Sequence, residues 1–186
     1  IPPFTENPDA AAPVRIVRNA GNSKATGFEL QSELTVTDMF SVGGSVVYSD
    51  TKFQKGAYDG STATQCALEK ENGDIVAAPG CQIIEITRGN GSKAWVSSLE
   101  GKRPQRSVKL QWNLYANADI PINNDWNLTG RVDVSYTGPA YMNQINTSYF
   151  GERTLTNLRV GLESDTYSLS VWANNLFNIG YVANTI

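Results

Sequence analysis

From Ser107 to Ile120 the chain alternates apolar and polar residues almost without error. Val108, Leu110, Trp112, Leu114, Ala116 and Ala118 form one set, and Lys109, Gln111, Asn113, Tyr115, Asn117 and Asp119 the other. A period of two places the two sets on opposite faces of a β-strand. At ~3.3 Å per residue, about fourteen residues extend well over ~40 Å. Soluble strands typically have about five or six residues, whereas a strand crossing a bilayer needs ~9–11. Length and alternation together point to membrane-barrel strands.

Five other stretches behave similarly: Val14–Thr37, Phe40–Phe53, Trp126–Thr137, Thr154–Glu163 and Tyr167–Asn174. The first is interrupted at Asn19-Ala20-Gly21-Asn22, a bulge or irregularity. Its clean part sets Phe28, Leu30, Leu34 and Val36 against Glu29, Gln31, Glu33 and Thr35; Val47 breaks the pattern of the second. The connections run short (Asp38-Met39), very long (54–103), short (Pro121 to Asp125), medium (Gly138 to Arg153) and short (Ser164-Asp165-Thr166). Bacterial outer-membrane barrels have short periplasmic turns and longer extracellular loops. The expected fold is all-β: an antiparallel up-and-down meander of about six long strands. Residues 1–186 form a single barrel segment, with 54–103 its long extracellular loop. Within that loop, Asp59-Gly60, Asn72-Gly73 and Asn90-Gly91 signal turns, and Ile83, Ile84 and Ile86 a short strand.

Composition narrows the alternatives. No run of ~18 apolar residues is present, so no transmembrane helix is expected. A net charge of −3 and a pI near 5.0 leave no basic footprint for nucleic acid. A mean hydropathy of −0.31 suits a barrel, because half of each strand faces a polar interior. The chain has no His, which removes Ser-His-Asp and Cys-His catalysis and His-based metal sites. Gly43-Gly44 and Gly89-Asn90-Gly91 lack the Gly-Lys-Ser/Thr of a phosphate loop. We therefore expect no enzyme activity, no cofactor and no metal.

A half-buried soluble sheet also alternates. The rival reading is a soluble β-sandwich adhesion or carbohydrate-binding module, whose apolar faces would pair within the chain. Aromatics near strand ends (Phe40, Tyr48, Trp126, Tyr136, Tyr141, Tyr167 and Trp172) favour the barrel, where they form girdles at both interfaces.

Three blocks carry a family resemblance. They are Asn19-Ala20-Gly21 with Gly27-Phe28-Glu29-Leu30, then Arg103-Pro104-Gln105-Arg106-Ser107, then Asn175-Leu176-Phe177-Asn178 with Tyr181. Together they resemble the C-terminal half of TonB-dependent outer-membrane receptors, with Arg106 where that family often has His and Asn178 for its usual Asp. The resemblance covers about residues 14–186. It implies six strands just before the last of a 22-stranded barrel in the bacterial outer membrane. It also implies an active transporter of a scarce bulky solute: an iron–siderophore complex, cobalamin or a carbohydrate. The implied partners are outer-membrane lipid, the transported ligand, and TonB through a plug domain. No stretch here matches the family's signal peptide, coupling box, plug or aromatic-ended last strand, so both ends are read as cuts in a longer chain.

Candidate sites are few. Cys66 and Cys81 lie in the loop placed outside the cell, where an even Cys count favours a disulfide; free thiols or a metal site are the alternatives, and a metal would want more Cys or His. Trp95, Tyr141, Tyr149 and Phe150 in the outer loops are candidate ligand contacts, with interface anchoring the competing role. Arg131, Asp133, Arg159 and Glu163 are read as lumen charges paired across neighbouring strands rather than as an acid–base pair.

Overall fold

The computed structural model describes residues 21–60, 66–87, 89 and 91–182. Its strands are β1 (Ser23–Thr37), β2 (Phe40–Phe53), β3 (Tyr58–Asp59), β4 (Ala67–Glu69), β5 (Ile75–Ala77), β6 (Ile83–Thr87), β7 (Lys93–Ser98), β8 (Leu110–Pro121), β9 (Asn127–Thr137), β10 (Ala140–Tyr141), β11 (Tyr149–Phe150), β12 (Arg153–Glu163) and β13 (Ser168–Ala173). Six of them make one antiparallel sheet in the order β1-β2-β8-β9-β12-β13, an up-and-down meander in which each strand pairs with the next long strand in sequence. The part of the first expected strand before residue 21 lies outside the described residues.

Register sorts the side chains. One lateral row runs Leu34, Val42, Ala116, Val132, Leu158 and Ala173. Another runs Leu30, Val46, Trp112 and Tyr136. Rows between them fall on the other face, such as Glu33, Gly43, Tyr115, Asp133 and Asn157. A one-residue slip of any strand would exchange its faces, so the sequence alternation and the observed register agree row by row. Val47 sits on the polar face, between Glu29 and Gln111.

The short turns are fixed by side chains that accept backbone N–H groups. Thr37 Oγ1 takes the N–H groups of Met39 and Phe40. Asn123 Oδ1 takes those of Asp125 and Trp126, and Ser164 Oγ takes that of Tyr167. At the opposite end, β8 begins three residues later than the alternation predicts. Arg106 there adopts φ 61° and donates its N–H to the Tyr141 carbonyl, which delays sheet pairing until Leu110. After β13, Asn175 and Asn178 take φ 51° and 50°, and Asn175 accepts an N–H from Ile179 through its side chain, closing the Asn-Leu-Phe-Asn block into a turn.

Among the described residues, the apolar face of this sheet has no second layer. Phe28, Leu30 and Leu34 are 61%, 62% and 61% exposed, and Leu114 is 57% exposed. A sandwich would bury these residues within the chain, so that alternative is overturned. The buried hydrophobic residues lie instead among the connections at the long-loop end: Ala57, Cys66, Val96, Leu99, Ala140 and Ile145. Two aromatic stacks, Phe28 on Tyr48 (5.7 Å) and Trp112 on Tyr136 (5.6 Å), band the upper apolar face. Trp172 departs from the expected girdle. It pairs in register with Arg159 on the polar face, because the β13 alternation that turns Val171 outward turns Trp172 inward.

Two outcomes test this arrangement. Leu30→Arg should lower barrel stability by ~2–4 kcal/mol, while Asn113→Arg on the polar face should cost far less; urea titration of the refolded protein in detergent reads the difference. An isolated chain should also need detergent or self-association to cover Leu110, Trp112, Leu114 and Val132. Sedimentation as a monodisperse monomer in detergent-free buffer would contradict the barrel.

Candidate functional site

At the long-loop end, two connections that are far apart in sequence form one small body. The connection after β2 folds back on itself: β3 pairs with β7, β7 with β6, and β4 with β5. Turn chemistry permits the reversals, with Gly73 at φ 81° between β4 and β5 and Gly91 at φ 80° between β6 and β7. The expected short strand at Ile83 is therefore β6, and Asp59 of the Asp59-Gly60 turn signal is the last residue of β3. Cys66 and Cys81 form the expected disulfide, with Cα atoms 5.5 Å apart. In the chain-entropy model, closing a loop of about 15 residues is worth ~3 kcal/mol.

The second connection, after β9, plugs into the first. Ile145 is buried against Ala57, Cys66 and Leu99, with Phe53, Cys81 and Ile83 packed around them. Next to it, Asn146 takes φ 60° and makes a two-way clamp on Arg103. Its Oδ1 accepts the Arg103 N–H at 2.7 Å, and its Nδ2 donates to the Arg103 carbonyl at 2.8 Å. The side chain thus replaces a β-bridge between segments 43 residues apart. At the far edge of this body, Lys93 Nζ meets Glu85 Oε2 at 2.8 Å, and that hydrogen bond holds the ammonium above the ordinary lysine pKa.

The clamp positions an aromatic hollow of ≈ 240 Å³, lined by Arg103, Pro139, Ala140, Tyr141 and Tyr149. Tyr141 and Tyr149 are direct cross-strand partners in the β10–β11 hairpin, so their side chains share a face. The Arg103 guanidinium is anchored by Asp50 at 3.0 Å. Of the four loop aromatics singled out by sequence, the structure brings Tyr141 and Tyr149 together. Phe150 pairs with Ala140 and does not line the hollow. Trp95 stands opposite Glu85 on the β6–β7 hairpin, also outside it. Sequence reasoning missed Arg103 as a site residue. Its only signal was its place in the Arg-Pro block.

The polar face carries a second organised patch. Arg131 grips Asp133 through two bonds of 2.8 Å, donates to Asn117 Oδ1 at 3.0 Å, and lies 4.3 Å over the Tyr115 ring. Asn117 passes the chain on to Ser41 Oγ at 3.1 Å. Gly43 makes room: a Cβ there would meet the Tyr115 ring at 2.5 Å. The expectation of charges paired across strands is corrected here. Arg131 pairs along its own strand with Asp133, because residues two apart share a face. Arg159 lies in register with Arg131 and has no ion pair among the described residues. Among the described residues, Glu163 accepts the Thr129 hydroxyl at 3.4 Å and makes no ion pair. No group of three or more His, Cys, Asp or Glu among the described residues could hold a metal.

A long meander with an open apolar face, a polar opposite face and a loop cap at one end is the geometry of part of a transmembrane barrel. A family model described as TonB dependent receptor-like, beta-barrel matches residues 3–176. The chain belongs to that family. No curated protein gives a significant match. TonB-dependent receptors are outer-membrane transporters rather than enzymes, so the two faces of the sheet take the roles of barrel exterior and lumen.

Opening the clamp should loosen both connections together. Ile145→Ala, a truncation that typically costs ~2–5 kcal/mol in a core, should speed amide exchange in segments 54–103 and 138–152 while leaving β8 and β9 protected. Faster exchange confined to 138–152 would show that the two connections are independent. Cys66→Ser with Cys81→Ser should raise proteolytic cutting between residues 54 and 103.

Proposed function

We propose that this chain forms wall, lumen lining and external cap of an active transporter in the bacterial outer membrane, and that the cap captures a bulky solute. The observation that supports this reading is the hollow beside Tyr141 and Tyr149, where Arg103 of one connection meets Pro139, Ala140 and the two tyrosines of the other, next to the joint made by Ile145 and Asn146. A solute gripped by fixed aromatic faces loses less affinity to loop ordering than one gripped by separate mobile loops. Tyrosine rings and Pro139 offer flat apolar faces, while the Arg103 charge is offset by Asp50. Such a surface suits ring-bearing solutes, whether an iron–siderophore complex, cobalamin or a carbohydrate. Uptake would then proceed by energy-coupled rearrangement of a plug domain engaged by TonB, with the Tyr115–Arg131–Asp133 patch facing the lumen. Trp95 and Phe150 would stand at the margin of the capture surface.

The test is uptake by cells that carry the receptor, grown with each of the three solute classes as the limiting nutrient. Aromatic contacts are worth ~0.5–1.5 kcal/mol each, so Tyr141→Ala with Tyr149→Ala should weaken surface binding of the transported solute roughly tenfold at unchanged receptor level. Unaltered binding and uptake by the double variant would rule out the hollow as the capture site.

A further inference from the structure

Above the aromatic stacks, the outward face changes character. The register continues upward from Phe28–Tyr48 to Thr26–Asp50 and then to Lys24–Lys52. Two like charges directly opposite one another on adjacent strands repel, and here they stand on the face that lower down carries no charged residue. Two further cations join them. Lys109 Nζ lies 5.2 Å from the Tyr48 ring centre and 3.9 Å from Asp50 Oδ1, while Arg103 Nη2 lies 3.0 Å from the same oxygen. Lys52 reaches Asp50 Oδ2 at 3.4 Å. One carboxylate therefore serves three cations, and Lys24 has no ion pair among the described residues. Glu152, which accepts the Tyr136 hydroxyl at 2.6 Å, keeps its own charge. Four cations, Lys24, Lys52, Lys109 and Arg103, gather around the single carboxylate of Asp50 or on the row beside it, so the collar is net positive.

Below the collar lies a hollow of ≈ 680 Å³ in the apolar face. It is lined by Leu30, Leu34, Val46, Trp112, Leu114 and Val132 among others. Its floor is low because Ser32 and Gly44 occupy the row between larger residues. Lys24 is six residues up β1 from Leu30, which is ~20 Å along the strand. At a tilt of ~40° this is about 15 Å along the membrane normal, equal to half of a ~30 Å hydrocarbon core. A lipid whose acyl chain lay in the hollow would bring its headgroup level with Lys24 and Lys52.

We infer that this face holds an anionic, phosphate-bearing lipid of the outer leaflet, with its phosphate on the Lys24–Lys52–Lys109 collar and an acyl chain in the hollow beside Leu30, Ser32 and Leu114. The inference rests on the barrel reading above. Basic side chains at a membrane surface attract anionic headgroups, at a level that corresponds to about a five-fold change in retention for each lysine removed. The excess charge and the matched spacing select an anionic phospholipid over a zwitterionic one.

Native mass spectrometry of the full receptor in detergent, titrated with dipalmitoyl phosphatidic acid or dipalmitoyl phosphatidylcholine, tests this. Phosphatidic acid should remain bound in preference, and Lys24→Gln and Lys52→Gln should each reduce its retention about five-fold. Lys24→Arg with Lys52→Arg should retain it, which guards against loss through misfolding, and Arg159→Gln on the lumen face should change nothing. Ser32→Phe, which fills the hollow, should weaken dipalmitoyl but not dihexanoyl phosphatidic acid. Equal retention of the two headgroups overturns the inference, as does full retention by the folded double Gln variant. Displacement by inorganic phosphate at equal concentration overturns the acyl seat. A receptor that inserts into membranes yet shows no preference leaves the barrel standing and removes only the lipid site; failure to insert removes both.

Discussion

Every backbone N–H and C=O that enters a bilayer must find its partner inside the protein. In this chain that requirement is met laterally, strand to strand, between the six neighbouring strands of the sheet, while the outer edges of β1 and β13 stay unpaired among the described residues. Once the backbone is committed sideways, the side chains have only two directions left. The alternation of Leu30, Leu34, Trp112, Leu114 and Val132 with Glu33, Asn113, Arg131 and Asp133 is the chemical record of that commitment. The tight turns at Thr37, Asn123 and Ser164 serve it as well, because each turn fixes the register of the strands it joins. The glycines at 43 and 44 are a local consequence on both faces: one admits the Tyr115 ring to the lumen side, the other admits Leu114 Cδ2 on the outside.

Beyond the membrane the physics reverses. Water can satisfy the backbone there, so the loops need some other source of order. The cap obtains it from a small apolar cluster, one disulfide and the Asn146 clamp. None is large alone. Ile145 matters because it arrives from a different hairpin and converts a local cluster into a joint between connections. The tyrosine hollow lies next to that joint, and Arg103 belongs both to the joint, through its backbone, and to the hollow, through its side chain.

The strands were legible from sequence because period two is a local signal repeated many times, and a strand as long as β2 repeats it enough to fix both ends. The turn at Asp38-Met39, the β6 segment at Ile83 and the Cys66–Cys81 bond were legible for related reasons: each depends on residue type near a known boundary. What escaped depends on pairings that no local pattern encodes. The return of β7 onto β3 joins Asp59 to Ser97, and Asn146 meets Arg103 across an intervening hairpin. The charge network was misread because partners were expected across strands, whereas Asp133 shares Arg131's face two residues along the same strand and Glu163 lies four rows away, opposite Asn127. Trp172 was placed with the girdle by its residue type, although its own strand's alternation already assigned it to the polar side.

The clamp between Asn146 and Arg103 also bears on how such a receptor can change over generations. Loops on barrels ordinarily vary one at a time, since each is tethered only at its own ends. Here the two outer loops form a single heritable unit. An insertion in either loop survives only if it leaves the seat for Ile145 intact, and a loop transplanted alone into a related barrel would arrive without its other half. If the cap captures solute as proposed, new solute preferences would arise by paired changes, or by substitutions at exposed faces such as Tyr149 that leave the joint untouched.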